Sequence, residues 1–434
     1  MRVRAGWPRP AIAQRWVRSL VACFASTIDR GAISRTLPVV GVEVDSRRCG
    51  SLVDTLRPYL LKVHGVRAIR KGEGDDRKLV LLDALKLDDG ELPPRLHRAV
   101  EQADGRYTSC DVHLGYNDLS ANEVLQELLP ADVGIPRAYE SVGHVIHINL
   151  RPEQLPYKHV IGEVLLDKHA PRIRTVVNKG AEITSQYRNL PLELIAGEDD
   201  LLVTVQHGDV RLSFDYSKVY WSSRLHTEHQ RMAASFTRGE VVWDLCAGVG
   251  PFAMLAARRG VTVLANDLNP EACSAMLGNV RDNGVLRHVH VYNLDAAAFV
   301  QAAVTSSVDC TGHGGGDGLA AVRLRDASHT PTERHAVERA AEAAEALPPD
   351  HILLNLPADS VRFLSALRPL RSAARQGPRV HCYSFSKLTS ASERLREARS
   401  RASAELGFEP EQLEVRHVRN VAPGKEMLCY EFTL

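Results

Sequence analysis

Apolar and polar positions follow three successive rhythms along this chain. Between residues 37 and 86, the runs LPVVGVEV and KLVLLDAL flank a helix-like SLVDTLRPYLLKV, and KGEGDDR reads as a loop. The pattern predicts a small α/β unit that ends near DDGELPP, residues 88 to 94. From about 108 to 232 come strand-like GHVIHINL, helix-like LPYKHVIGEVLLDKH, the run TVVNKG, and LLVTVQHGDVRLSFD, whose HGD signals a hairpin. From about 239, strands and helices alternate regularly: VVWDL with PFAMLAARRG, VTVLAND with PEACSAMLGNVRDN, HVHVYNLD with AAAFVQAA, HILLNLP with DSVRFLSAL, and RVHCYSF with SASERLREARSRASAE. Such alternation predicts a doubly wound α/β sheet. The final runs, QLEVRHV and EMLCYEFTL, have no helix between them and predict a terminal antiparallel hairpin. Residues 304 to 349 break the rhythm with a glycine tract, TGHGGGDG, and an alanine–glutamate stretch, and read as an insertion.

Composition narrows the classes. A chain of 434 residues at 44% hydrophobic and 25% charged has the mix of a globular protein of two or three domains. No stretch approaches the roughly 18 to 20 apolar residues of a membrane-spanning helix. With 54 basic and 53 acidic side chains the net charge is +1, so any polyanion must be met by local patches. The 8 cysteines form no CxxC pair, which argues against a disulfide framework or a zinc site and for a reducing compartment. The first 28 residues differ: Arg2, Arg4, Arg9, Arg15 and Arg18 are spaced by apolar residues, with no acid before Asp29. This start resembles a mitochondrial presequence, with a disordered basic extension as the alternative. The expected location is the mitochondrial matrix, with nucleus and cytoplasm as further compartments.

The stretch VVWDLCAGVGPF is the most informative. A buried strand ends at Asp244, followed by a turn carrying Cys246, Gly248 and Gly250, and then Pro251, whose fixed φ suits the start of a helix. Glycines at the carboxyl end of a strand let a ligand approach the backbone. The next strand ends at Asp267, 17 positions beyond Gly250, where a carboxylate can accept hydrogen bonds from ribose hydroxyls. A third strand ends near Asp295, placed to meet the exocyclic amine of adenine, and a fourth at Asn355. Together these residues point to a nucleoside cofactor. There is no GxGxxG for a nicotinamide dinucleotide and no GxxxxGK[ST] for a P-loop, and S-adenosylmethionine remains. Cys246 reads more simply as a small packing residue in the turn.

At this point DLCAGVGPFA, ANDLNPEA, LNLPADSVRFL and the closing VAPGKEMLCYEF resemble the archaeal–eukaryotic tRNA (guanine-N1)-methyltransferases, which methylate the guanosine 3′ to the anticodon. LRPEQLPYKHVIGEVLLDKH, VVNKG, QYRNLPLELIAGEDD and YSKVYWSSRLHTEHQR extend the resemblance over about residues 37 to 434, the insertion excepted. The resemblance implies a Rossmann-like class I methyltransferase domain at 233–434, preceded by two smaller α+β domains at 29–100 and 108–232. The first of these would touch the tRNA outer corner and the second would help clasp the anticodon stem-loop. It further implies that Arg188 orients the guanine and stabilises charge on its O6, that Glu228 is the general base, and that Tyr220 lies near the reacting groups. His229, Asp267, Leu268, Asp295, Ala296 and Asn355 match cofactor contacts.

The chemistry agrees. N1 of guanine carries a proton that a base must remove, and negative charge then builds on O6, where a planar arginine can meet it. Asn355 and the Pro357 turn would position the transferred methyl. The motif Asn355-Leu356-Pro357-Ala358 lacks the aromatic of the [DN]PPY enzymes that act on exocyclic amines. An endocyclic nitrogen fits better. The run of arginines from Arg362 to Arg401 and the cluster Lys158, Lys168, Arg172, Arg174 and Lys179 are candidate phosphate contacts, with solvated helix faces as the alternative. Tyr220 or Trp221 could support an unstacked base. The clasp-like arrangement suggests a monomer. Two other functions stay open: the related wybutosine-pathway aminocarboxypropyltransferase, and a non-catalytic tRNA-binding protein on the same fold.

Overall fold

The computed structural model describes residues 28–83, 86–87, 93–136, 138–180, 191–308, 342, 348–371 and 377–434. The arginine-rich start up to residue 27, Arg188 and most of the expected insertion lie outside the described residues. The chain divides into two compact units. The first comprises residues up to 140 with 146–179 and 193–199, and the second 141–145, 180–192 and 200–434.

In the first unit, β1 (Ser34–Asp45), β2 (Ile69–Lys71), β3 (Arg77–Leu82) and β4 (Arg106–Gly115) form an antiparallel sheet in the order β2-β3-β1-β4. Its two faces follow the twofold alternation of strand side chains. Val42, Val44, Val80 and Leu82 pack with residues of α1 (Cys49–Leu56) and α2 (Pro94–Gln102). Val39, Leu81 and Val112 share a second core with α3 (Ala121–Leu128) and α4 (Lys158–His169). Ser120 opens α3 with a capping box: its hydroxyl accepts from the Glu123 amide, and the Glu123 carboxylate accepts from the Ser120 amide at 2.8 Å. A further sheet runs in the order β5 (Tyr139–Val142), β6 (Val145–Ile148), β7 (Thr175–Lys179), β8 (Leu192–Gly197).

The expected boundary near residue 108 therefore falls inside a strand. Residues 106–115 pair with β1, and one shared core joins what the sequence pattern divides into two small domains. The boundary at 232 moves as well. The hairpin β9 (Leu202–His207) and β10 (Val210–Asp215) and the helix α5 (His226–Ser235) belong to the second unit. The reason is polar: the β10 amides of Ser213 and Arg211 donate to Asn279 of α7 (Pro270–Asp282) and to Asn283, which caps that helix, at 2.8 and 3.0 Å. An edge strand that finds such acceptors stays with the unit supplying them.

The second unit is built on a seven-stranded sheet in the order β13-β12-β11-β14-β15-β17-β16. Strands β11 (Val241–Asp244), β12 (Thr262–Asn266), β13 (Val289–Tyr292), β14 (His351–Leu354) and β15 (Arg379–Ser386) run parallel, and β17 (Lys425–Thr433) pairs antiparallel with both β15 and β16 (Glu411–Ala422). The expected terminal hairpin is present, with its second strand inserted between β15 and the first. α6 (Pro251–Arg258), α7, α8 (Ala296–Val308) and α9 (Ala391–Leu406) alternate with the strands. The expected helix after β14 is instead a 3-10 helix, Ser360–Leu370, with Pro369 inside it. All four residues of β11 are buried, as expected of a strand covered on both faces.

Strand order reverses between β11 and β14, so the carboxyl ends of these strands flank the crevice where open α/β sheets bind ligands. Gly250 caps α6 with φ of 87°, and a Cβ there would lie 3.0 Å from the Met254 methyl and 3.1 Å from Met276. Gly250→Ala should therefore cost about 1 kcal/mol or more of stability, read as a lower urea midpoint at unchanged m-value.

Candidate active site

Four polar residues stand at successive strand ends of the second unit. Asp244 closes β11, fully buried, and neither carboxylate oxygen finds a well-formed hydrogen bond. Burial, and then the neighbouring Asp267, push its carboxyl up to about 8, against the Cys246 amide. Asp267 follows β12. Its Oδ2 accepts from the Gly248 amide and its Oδ1 from the Asn269 amide, each at 2.8 Å, which ties the glycine turn to the next strand end. Burial raises its carboxyl and the two amides lower it. Asp295 opens α8, accepting from the amides of Ala297 and Ala298, with Ala296 buried as the helix's first residue. Asn355 follows β14, and its Oδ1 is buried without a partner among the described residues.

The turn itself leaves room. Gly248 has φ of 57°, and a Cβ built there meets nothing within 4 Å among the described residues. Leu268 is an exposed apolar side chain beside Asp267. Cys246 packs against the sheet core, and burial pushes its thiol well up, in keeping with a packing role. The open space over Gly248 and the orphaned oxygens of Asn355 and Asp244 fit a polar ligand that carries its own donors. Ser360 braces the Asn355-Leu356-Pro357 turn: its hydroxyl donates to the Leu354 carbonyl and accepts from the Leu356 amide. Asn266 ties the ends of β11 and β13 together through Leu245 and Leu294.

Glu228 lies in the first turn of α5 and is 8% exposed. Arg231, one turn on, grips it with a fork: Nε donates to Oε2 at 2.9 Å and Nη2 to Oε1 at 2.6 Å. The Tyr383 hydroxyl on β15 also donates to Oε1, at 2.8 Å. The expected base is thus both buried and paired with a cation that the sequence pattern does not reveal. Tyr220 is half exposed, whereas Trp221 is packed against Phe214 and His207. Of the two aromatics considered for stacking a base, only Tyr220 has a free face.

His229 points inward. Its ring lies edge-on to Phe252 of α6, and its Nδ1 is 3.0 Å from Nε2 of His207, whose Nδ1 is 3.0 Å from His226. The three imidazoles form a hydrogen-bonded file. Burial, and then the neighbouring His226, hold His207 down to about 4, and burial followed by the same histidines holds His229 well below its ordinary value. Nothing in the spacing of His207 marks it as a partner of α5.

Several members of the basic clusters are engaged by the fold. Arg368 caps the carboxyl end of α9 through the Glu405 carbonyl, and Arg394, Arg399 and Arg401 meet Glu426, Glu409 and Glu397. Arg371 covers the Phe408 ring. In the first unit, Lys158 and Arg174 pair with Glu193 and Glu198, and Lys168 donates to the Tyr116 carbonyl.

Comparison with known proteins decides the family. A curated tRNA (guanine(37)-N(1))-methyltransferase of Mus musculus is 35% identical over 94% of this chain and 77% of its own length. One of Coprinopsis cinerea is 35% identical over 94% and 93%. The TRM5/TYW2 methyltransferase domain matches residues 203–309, and the TYW2 N-terminal domain residues 121–200. The chain belongs to the TRM5/TYW2 methyltransferase family. Its enzymatic class is that of a methyltransferase. Among solved structures, Trm5b of Pyrococcus abyssi superposes with TM-score 0.60 at 23% identity, covering 91% of this methyltransferase and 98% of that chain. A complex of aTrm5 with tRNALeu superposes with TM-score 0.59 at 19% identity, covering 91% and 99%. These likenesses share the fold of this methyltransferase. The matched methyltransferase domain begins at residue 203, near where the second unit takes over the chain.

Proposed function

We propose that this methyltransferase methylates N1 of guanosine 37 in tRNA, with Glu228 as general base and Arg188 countering charge on O6. One observation carries the assignment furthest: a buried, anchored carboxylate stands at the head of α5 in the unit that also bears the ligand edge. The curated relatives named for this reaction support it, as does a structural neighbour solved with tRNA.

S-adenosyl-L-methionine is the cofactor, and when bound it supplies an electrophilic methyl on sulfur. Asp267 is placed to take the ribose hydroxyls. Its oxygens already accept one amide each and keep a lone pair apiece. Asp295 and Ala296, with Leu268, are placed to border the adenine, and Asp244 and Gly248 line the turn beneath. The Asn355 carboxamide, fixed by the Ser360-braced turn at Pro357, would orient the reacting end. Glu228 would take the N1 proton, and Tyr220 would lie against the base. This reading places a Rossmann-like class I methyltransferase domain within the second unit and tRNA contacts across both units.

The test is a tRNA transcript with guanosine at position 37, digested to nucleosides after reaction. N1-methylguanosine supports the proposal. An aminocarboxypropyl adduct, or binding without product, removes it. Asp267→Ala should weaken S-adenosylmethionine binding by about 10- to 100-fold, by loss of hydrogen bonds to a charged acceptor. Calorimetric titration checks this, and an unchanged dissociation constant would place the ribose elsewhere.

A further inference from the structure

Glu228 does not stand alone. Arg231, which forks its carboxylate, also donates through Nη2 to Glu431 Oε1 at 2.9 Å. Glu431 lies on β17, opposite His381 of β15, and is 8% exposed. Burial alone would raise its carboxyl, but His381 and then Arg231 hold it down to about 2. Arg379 reaches its other oxygen at 3.4 Å. Tyr383, two residues beyond His381 and fully buried, completes the set from the sheet side.

The lone pairs of Glu228 can be assigned. A carboxylate oxygen has two acceptor sites. Both sites of Oε1 are taken, by Tyr383 Oη and Arg231 Nη2. Among the described residues, Oε2 accepts only from Arg231 Nε and keeps one site open.

From this geometry we infer that Tyr383 and Glu431 are positioning residues for the base, and that they leave Oε2 as the oxygen that takes the substrate proton. This rests on the reading of Glu228 as the base. In the step, the guanine N1–H bond breaks and an Oε2–H bond forms, while the electron pair stays on the guanine. The proton passes to solvent after product leaves. Tyr383 fixes the carboxylate plane from β15. Glu431 fixes Arg231 from β17 and offsets part of its charge, so that the fork orients Glu228 without pairing it as strongly as a lone arginine would.

The two residues act on the proton with opposite signs. Tyr383→Phe removes a donor to the carboxylate and keeps the ring that lies near Phe252. The carboxylate is then held less firmly in its charged form, and the acid limb of the pH–rate profile moves to higher pH. Glu431→Gln removes the anion that offsets Arg231. The charged form is then favoured more, and the acid limb moves to lower pH with a reduced plateau. The other groups that face the cluster are the Cys429 thiol on β17 and the His381 imidazole on β15. Burial pushes the thiol well up, and burial holds the imidazole down against the opposing pull of Glu431.

Single-turnover methylation of tRNA at saturating cofactor, measured from pH 5 to 9, reads the effect. A shift of about one unit in each direction is expected, with up to about tenfold loss at the plateau for Glu431→Gln. Calorimetric S-adenosylmethionine binding should stay unchanged in both variants, which separates positioning from unfolding. Limbs that stay put, or that move in the same direction, overturn the inference while leaving Glu228 as the base if Glu228→Gln is inactive. An active Glu228→Gln overturns the base itself, and the inference with it.

Discussion

Glu228→Gln should lower the single-turnover rate of tRNA methylation by about 10²- to 10⁴-fold, the range spanned by positioned general bases. Glutamine keeps the volume of the side chain and one acceptor oxygen for Tyr383. It loses the site that could take a proton. Arg231 keeps Glu431 as its counter-ion, so no buried cation is stranded, and the fold should survive. The measurement is rapid-quench methylation, with cofactor titration as the control for folding. A rate within a few fold of the parent enzyme would assign proton removal to another group and reduce Glu228 to a structural partner of Arg231.

The second large effect concerns stability. His207 is 2% exposed and held down to about 4, against roughly 6.5 for an unfolded histidine. Between these values the unfolded chain binds a proton that the folded state refuses, so stability is complete above about pH 6.5 and is lost as pH falls toward 4. Shifts of this size correspond to about 3 kcal/mol for His207 alone. His229 acts in the same direction. Asp244, raised to about 8, works the other way, since the folded state holds its proton where the unfolded chain has released it. The comparison must therefore be made between variants. In denaturant unfolding from pH 7.5 to 4.5, the stability of the parent enzyme relative to His207→Gln, which cannot titrate, should fall as the pH falls. Parallel curves would mean that the histidine file does not refuse protons in the folded state.

The strand ends and glycine turn of the proposed ligand edge are legible because they are written locally. Asp244, Gly248, Gly250 and Asp267 fall within one strand–turn–helix–strand run, where spacing in sequence maps onto position at the sheet edge. The terminal hairpin was legible for the same reason, as two strand-like runs with no helix between. What escaped the pattern is non-local. The alternation of residues 106–115 identifies a strand but not that its partner is β1, so the boundary near 108 was misplaced. The β9–β10 hairpin is marked by its turn, but only Asn279 and Asn283, more than 60 positions on, bind it to the second unit. The 3-10 geometry of Ser360–Leu370 was hidden because a helical period does not distinguish the two helices over so short a run. The arginines of α9 looked like a surface for phosphate, yet their acidic partners at Glu409 and Glu426 lie outside the helix.

Tyr383, on β15, lies 155 positions beyond Glu228, and Glu431, on β17, lies 200 positions beyond Arg231. Contacts of such sequence separation carry the entropy of closing long loops and are formed late. A chain that has completed β11 to β14 and the glycine turn can possess the proposed cofactor edge while Glu228 still lacks its anchors on β15 and β17. Cofactor binding and methyl transfer should thus be regained at different times on refolding, with binding first. During synthesis, the nascent enzyme would pass through a stage that holds its methyl donor without being able to spend it.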